Sequence, residues 1–128
     1  MMWKLVFAIT ATLSISVAQK TGGFMEIPID DEGVKSALEY AVLYHNNNSN
    51  DFYIRVVTHV IKAWGQVVAG ENYVIQVKMA RTYCRKYDVN PVCVPAEDPA
   101  WAQPYQCTFS VWSRIQPKDM ILTRQECS

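Results

Sequence analysis

The side chains able to do chemistry in this chain of 128 residues are few: four cysteines, at 84, 93, 107 and 127, and two histidines, His45 and His59. A cysteine nucleophile needs a reduced thiol beside a base. An even number of cysteines in a short chain with a leader reads instead as two disulfides among Cys84, Cys93, Cys107 and Cys127, with three pairings open. Oxidised thiols leave no nucleophile, so no enzyme activity is expected. No paired C-x-x-C is present, so neither a metal site nor a cofactor is expected. What remains is surface chemistry. Gln66-Val67-Val68-Ala69-Gly70 sets three compact apolar residues between an amide, which both donates and accepts, and a glycine that lets the backbone turn and approach closely. Asn47-Asn48-Ser49 is an N-glycosylation sequon, so Asn47 is a candidate acceptor.

The elements that carry these residues follow from pattern. Lys4 precedes the uncharged run Leu5 to Val17, and Ser16-Val17-Ala18 sets small residues before Gln19. Residues 1–18 therefore read as a secretory signal peptide, too short in its apolar run to span a bilayer, and 19–128 as one domain. The product is expected to be secreted and extracellular, with no membrane attachment. Twelve basic residues balance twelve acidic ones without a basic block, which argues against nucleic acid. Half the residues are hydrophobic, which excludes a disordered chain.

Gln19 to Pro28, containing Gly22-Gly23, is expected to be a poorly ordered leader. Acidic Asp30-Asp31-Glu32 opens a helix. Val34, Ala37, Leu38, Ala41 and Val42 form its apolar face, and the asparagine-rich run 46–51 ends it after about four turns. Strands are expected at 53–64 and 73–83, then near 107–114 and 119–126, joined by hairpins at 66–70 and 115–117. In the second strand Tyr73, Ile75, Val77, Met79 and Tyr83 share one face, and Gln76, Lys78 and Thr82 the other. Residues 84–106, dotted with prolines, read as irregular. Arg81 with Arg85-Lys86 reads as a solvated face, and His59 as a residue on the sheet face. The fold class is α+β, an N-terminal helix across an antiparallel sheet.

With these residues in place, the chain resembles a family 2 cystatin, a secreted inhibitor of papain-like cysteine proteases. The resemblance rests on Gly22-Gly23, on Asp31-Glu32-Gly33-Val34 at the helix start, on Ser49-Asn50-Asp51 after it, on the Q-x-V-x-G signature at 66–70, and on the cysteine spacing C-x8-C-x13-C-x19-C. It implies a cystatin-like fold with a four- to five-stranded sheet and the pairings Cys84–Cys93 and Cys107–Cys127. It also implies a reversible wedge that blocks the protease cleft through three segments: Gly22 and Gly23; Gln66, Val67, Val68, Ala69 and Gly70; and the second hairpin at Ile115 and Gln116.

Two segments depart from the family's pattern. Where the family has Pro-Trp, this chain has Ile115 and Gln116, with Pro117 one place later. Losing an interface tryptophan can cost about 2 kcal/mol or more, roughly thirtyfold in affinity. Only Gln19, Lys20 and Thr21 precede Gly22, and they are poor fillers of apolar pockets. Inhibition is therefore expected to be moderate, and a non-inhibitory binding module on the same fold is the alternative. Trp112, on the preceding strand, reads as a sheet-packing residue and not as a replacement. The resemblance also implies a second partner, legumain, a protease cleaving after asparagine, engaged through Asn50. The monomer is expected to be the active form. A dimer swapped through the 66–70 loop would lose the wedge.

Overall fold

The structure, a computed structural model, describes residues 23–87, 92–114 and 119–128. The leader at 1–18, Gly22, and the second hairpin turn with Ile115 and Gln116 lie outside the described residues. Strand β1 is Met25–Ile27, helix α1 Glu32–Asn48, β2 Tyr53–Val68, β3 Gly70–Arg85, the short helix α2 Pro99–Ala102, β4 Tyr105–Ser113 and β5 Met120–Cys127. The sheet is antiparallel, its five strands in sequence order, and α1 lies across one face.

The helix starts as its acidic opening predicts: the Asp31 carboxylate accepts the Val34 N–H at 3.2 Å. Val34, Ala37 and Ala41 are fully buried, and Leu38 and Val42 pack partly buried beside them. Two alanines on the buried stripe bring the helix axis close to Ile75, Val77, Met79 and Phe109 below. At its start α1 rests on Tyr73. A Cβ on Gly33 would lie 2.1 Å from the Tyr73 hydroxyl oxygen.

Four details differ from the sequence expectation. The leader is not wholly without structure: Met25–Ile27 pair with β2, Met25 opposite Gly65, and make the fifth strand. The helix runs through Asn46, Asn47 and Asn48 and stops at Ser49, which is extended. Asn46 is good turn chemistry, but here it is buried, its amide donating to the Arg55 carbonyl at 3.0 Å while its oxygen accepts the Arg55 N–H at 2.9 Å. That tertiary pairing outweighs the residue's local preference. The first hairpin is much tighter than a loop at 66–70, since Val68 pairs with Gly70 across Ala69 alone.

The fourth difference is in β3. The odd positions Tyr73 to Met79 are buried as expected, but from Ala80 onward the buried positions are Ala80, Thr82 and Cys84. Tyr83 is 61 % exposed and stacks on Trp101, their centroids 5.1 Å apart. Past Met79 the strand is covered by the segment 92–104, whose Ala96 N–H bonds the Arg81 carbonyl and whose Trp101 indole donates to the Thr82 carbonyl. Disulfides join Cys84 to Cys93 and Cys107 to Cys127, tying down that segment and closing the β4–β5 end. Each such link contributes about 2–4 kcal/mol.

Candidate functional site

At one end of the sheet the ends of three strands come together. Gln66, Val67 and Val68 close β2, Ala69 turns, and Gly70 opens β3. Gly70 has φ +96°, a left-handed conformation that favours glycine. A Cβ there would also lie 2.2 Å from the Arg114 carbonyl oxygen and 2.3 Å from that of Ser113. The glycine is thus fixed twice, by dihedral and by the close approach of the end of β4. Val67 is 86 % exposed, and Val68 and Ala69 are exposed beside it. Gln66 is half-buried, its oxygen accepting from the Asn72 amide at 3.4 Å. Gly23 is exposed, and its chain enters alongside the same end through Met25 opposite Gly65.

Trp112 has a larger part here than sheet packing. Its indole N–H donates to the Ala69 carbonyl at 3.0 Å, and the Arg114 guanidinium lies 5.6 Å from its ring. Arg114 in turn pairs with Asp119 at 2.8 Å and closes the stem of the second hairpin. A groove of about 930 Å³ starts at this end and runs along the sheet, with Phe24, Val68, Ala69, Val74, Ser110 and Trp112 in its walls. No sequence signal marks the Trp112 contact, because it joins residues 43 positions apart. Beneath the tip, burial and the neighbouring Glu71 carboxylate, to which the hydroxyl donates, push the Tyr73 phenol well above its ordinary value.

Asn50 is not part of this end. It lies where α1 joins β2, at the other end of the long strand, and is exposed. Its two neighbours are held firmly. Lys86 Nζ donates to the Ser49 carbonyl at 2.7 Å and to its hydroxyl at 2.9 Å. The Asp51 carboxylate lies 3.4 Å from Arg55 Nε and 3.8 Å from an Arg81 guanidinium nitrogen, and accepts the Tyr53 N–H. Arg55 is covered by Tyr105, its guanidinium carbon 4.2 Å from the ring centroid, and Arg81 lies 4.5 Å over Trp101. So Arg81 and Lys86 are structural partners, not a solvated face; only Arg85 of that cluster is exposed. His59 is exposed on β2 as expected. His45 sits with the sulfurs of Cys107 and Cys127 within 4.8 Å, but those sulfurs are bonded to each other. Its ring nitrogens meet Tyr105 Oη at 2.6 Å and Gln125 Oε1 at 3.0 Å, which makes it a strut between helix and sheet.

The described residues thus place the exposed apolar tip of a long β2–β3 hairpin at one end of the sheet. Residues 22–115 match the cystatin domain family. The chain is 40 % identical to a cystatin of Oncorhynchus keta, covering 99 % of this chain and 98 % of the relative. It is 44 % identical to cystatin-C of Paralichthys olivaceus, covering 96 % and 98 %. The crystal structure of dimeric human cystatin F superposes with a TM-score of 0.74 at 26 % identity, covering 85 % of this chain and 88 % of that one. The chain belongs to the cystatin family, whose members are inhibitors of cysteine proteases and not enzymes. No helix among the described residues is long and apolar enough to cross a membrane.

Proposed function

We propose that this protein is secreted and is a reversible inhibitor of papain-like cysteine proteases, of moderate strength, acting as a wedge in the active-site cleft. The observation that carries the reading is the β2–β3 tip: Val67, Val68 and Ala69 exposed at the end of a two-stranded projection, on a turn fixed by Gly70. An apolar tip of this kind gains about 25 cal/mol for each Å² it removes from water in a groove. The backbone at the tip is already ordered, so little conformational entropy is lost on binding. Gly22 and Gly23 would lead the N-terminal segment beside it, and Ile115 and Gln116 would form the second hairpin's contact without an aromatic anchor. That is the reason for moderate strength.

The test is a titration of active papain and a cathepsin L-like enzyme with the oxidised monomer starting at Gln19. The monomer fraction is used because a dimer swapped through 66–70 would open the tip. Nanomolar inhibition, weakened at least about tenfold in Gly70→Ala by the cost of a left-handed alanine and the clash with β4, supports the wedge. No inhibition up to micromolar concentration would favour a non-inhibitory binding module. Picomolar inhibition would contradict the moderate strength.

A second reading is favoured by Asn50, an exposed asparagine held by fixed neighbours on both sides. It suits insertion into the specificity pocket of legumain. Inhibition of legumain that is lost in Asn50→Ala, with papain inhibition unchanged, would support it; equal inhibition by both proteins would sink it.

A further inference from the structure

The three asparagines that end α1 differ in what their side chains do. Asn46 is buried and bonded both ways to the Arg55 backbone. Asn48 donates to the Tyr44 carbonyl at 2.8 Å. Asn47 is exposed, makes no side-chain bond to the rest of the protein, and alone heads an N-x-S sequon. The same end carries large exposed aromatic surface. Phe52 is 80 % exposed and Tyr87 95 % exposed, and they are linked through the Lys86 N–H bond to the Phe52 carbonyl. With Tyr53 and Arg85 they line a pocket of about 430 Å³. From Arg55, which Asn46 grips, β2 runs to Val68 at the wedge tip, a span on the order of 40 Å at the ordinary rise of a strand.

We infer that Asn47 carries an N-linked glycan that shields the Ser49–Phe52 turn and leaves the hairpin tip open. The acceptor is a free amide on the last turn of a helix, so a bulky polar substituent meets no packed surface. In the transfer, the Asn47 amide nitrogen forms a bond to the anomeric carbon of an oligosaccharide carried on a lipid pyrophosphate. The carbon–oxygen bond to the pyrophosphate breaks, the lipid pyrophosphate leaves, and the amide proton is released. In the folded protein the Ser49 hydroxyl is already engaged by Lys86 and by the Asp51 N–H. Transfer therefore belongs to the time before this turn is locked, as the chain enters the secretory pathway. The modification rests on residues 1–18 acting as a leader. Its effect on a protease at Asn50 rests also on the second reading above.

The experiment is to express the full chain with its own leader in a eukaryotic secretory cell, alongside Asn47→Gln. The secreted wild type should carry an oligosaccharide mass that a glycosyl-asparagine amidase removes, and Asn47→Gln should not. Both should unfold at the same temperature, since Asn47 holds nothing. Hydroxyl-radical footprinting then reads the shielding directly: Phe52 should be labelled at least about twofold less in the glycosylated protein than in Asn47→Gln, with Met25 and Val67 equal in both. Papain inhibition should be the same for both forms, and legumain inhibition weaker for the glycosylated one. A secreted wild type without glycan, equal labelling of Phe52, or protection of Val67 would overturn the inference. Absence of legumain inhibition in Asn47→Gln would remove the Asn50 reading alone, because mass and footprint decide the glycan independently.

Discussion

The two ends of β2 display residues by opposite means. At the tip the backbone does the holding: a left-handed glycine, β4 carbonyls at close approach, and one indole N–H on a carbonyl, while apolar side chains stand free. At the α1–β2 turn, side chains do the holding. Lys86 grips Ser49, two arginines share Asp51, and those arginines lie over Tyr105 and Trp101. A tip shaped by backbone can carry apolar residues into a groove with little ordering on binding. A turn shaped by half-buried charges depends on each member of its network, because removing one partner leaves the others desolvated without compensation.

The largest effect expected from this contrast is at Asp51. Asp51→Ala leaves Arg55, whose side chain is only 8 % exposed, without its carboxylate. Breaking a buried ion pair costs about 3–5 kcal/mol, which in a domain of this size lowers Tm by roughly 10 °C or more. Below that transition papain inhibition should be unchanged, since the tip uses none of these residues. Thermal unfolding followed by titration at low temperature checks both halves. A stable Asp51→Ala, or one that loses papain inhibition while folded, would break the claim that the two ends are independent. Asp51→Asn, which can still accept the Tyr53 N–H, should fall between the two.

The same contrast explains what could be read from the sequence. The helix start, the apolar stripe of α1 and the glycine at the hairpin are each marked by residue type and local spacing, and all are legible. So is the buried alternation from Tyr73 to Met79. The failures lie where a distant partner decides. Asn46 continues a helix because Arg55 accepts it, Tyr83 turns outward because Trp101 stacks on it, and Arg81 is drawn in by Asp51, 30 positions away. Each of those choices is made by a residue that periodicity does not connect to it. Trp112 belongs with them: its alternation says which sheet face it occupies, and nothing local says that its N–H reaches Ala69.

Trp112→Phe sharpens the comparison at the tip. The ring and its groove surface stay, while the bond to the Ala69 carbonyl goes. A net hydrogen bond is worth about 1 kcal/mol, so papain-type inhibition should weaken by about fivefold with little change in Tm. Inhibition constants for both proteins, measured side by side, test this. An unchanged constant would mean that Gly70 and the β4 carbonyls hold the turn without the indole.

The smallest effect is expected at Tyr73, the buried tyrosine beneath the tip, whose hydroxyl is part-buried. Burial first, and then the Glu71 carboxylate, raise its pKa in the folded protein. In the unfolded chain it returns to about 10. Below that value both states keep the proton and the folded state has the full benefit of the Tyr73–Glu71 bond. As pH rises past about 10 the unfolded state releases the proton first, so it binds fewer protons than the folded state and stability falls with increasing pH. Tyr73→Phe removes the group and with it this component of the decline. Denaturant unfolding of both proteins from neutral pH to about pH 11 should show the wild type losing stability more steeply above pH 10. Parallel curves would mean that Tyr73 opens to water before it titrates. The start of α1, which rests on that ring at Gly33, would then be the loose part of the wedge end.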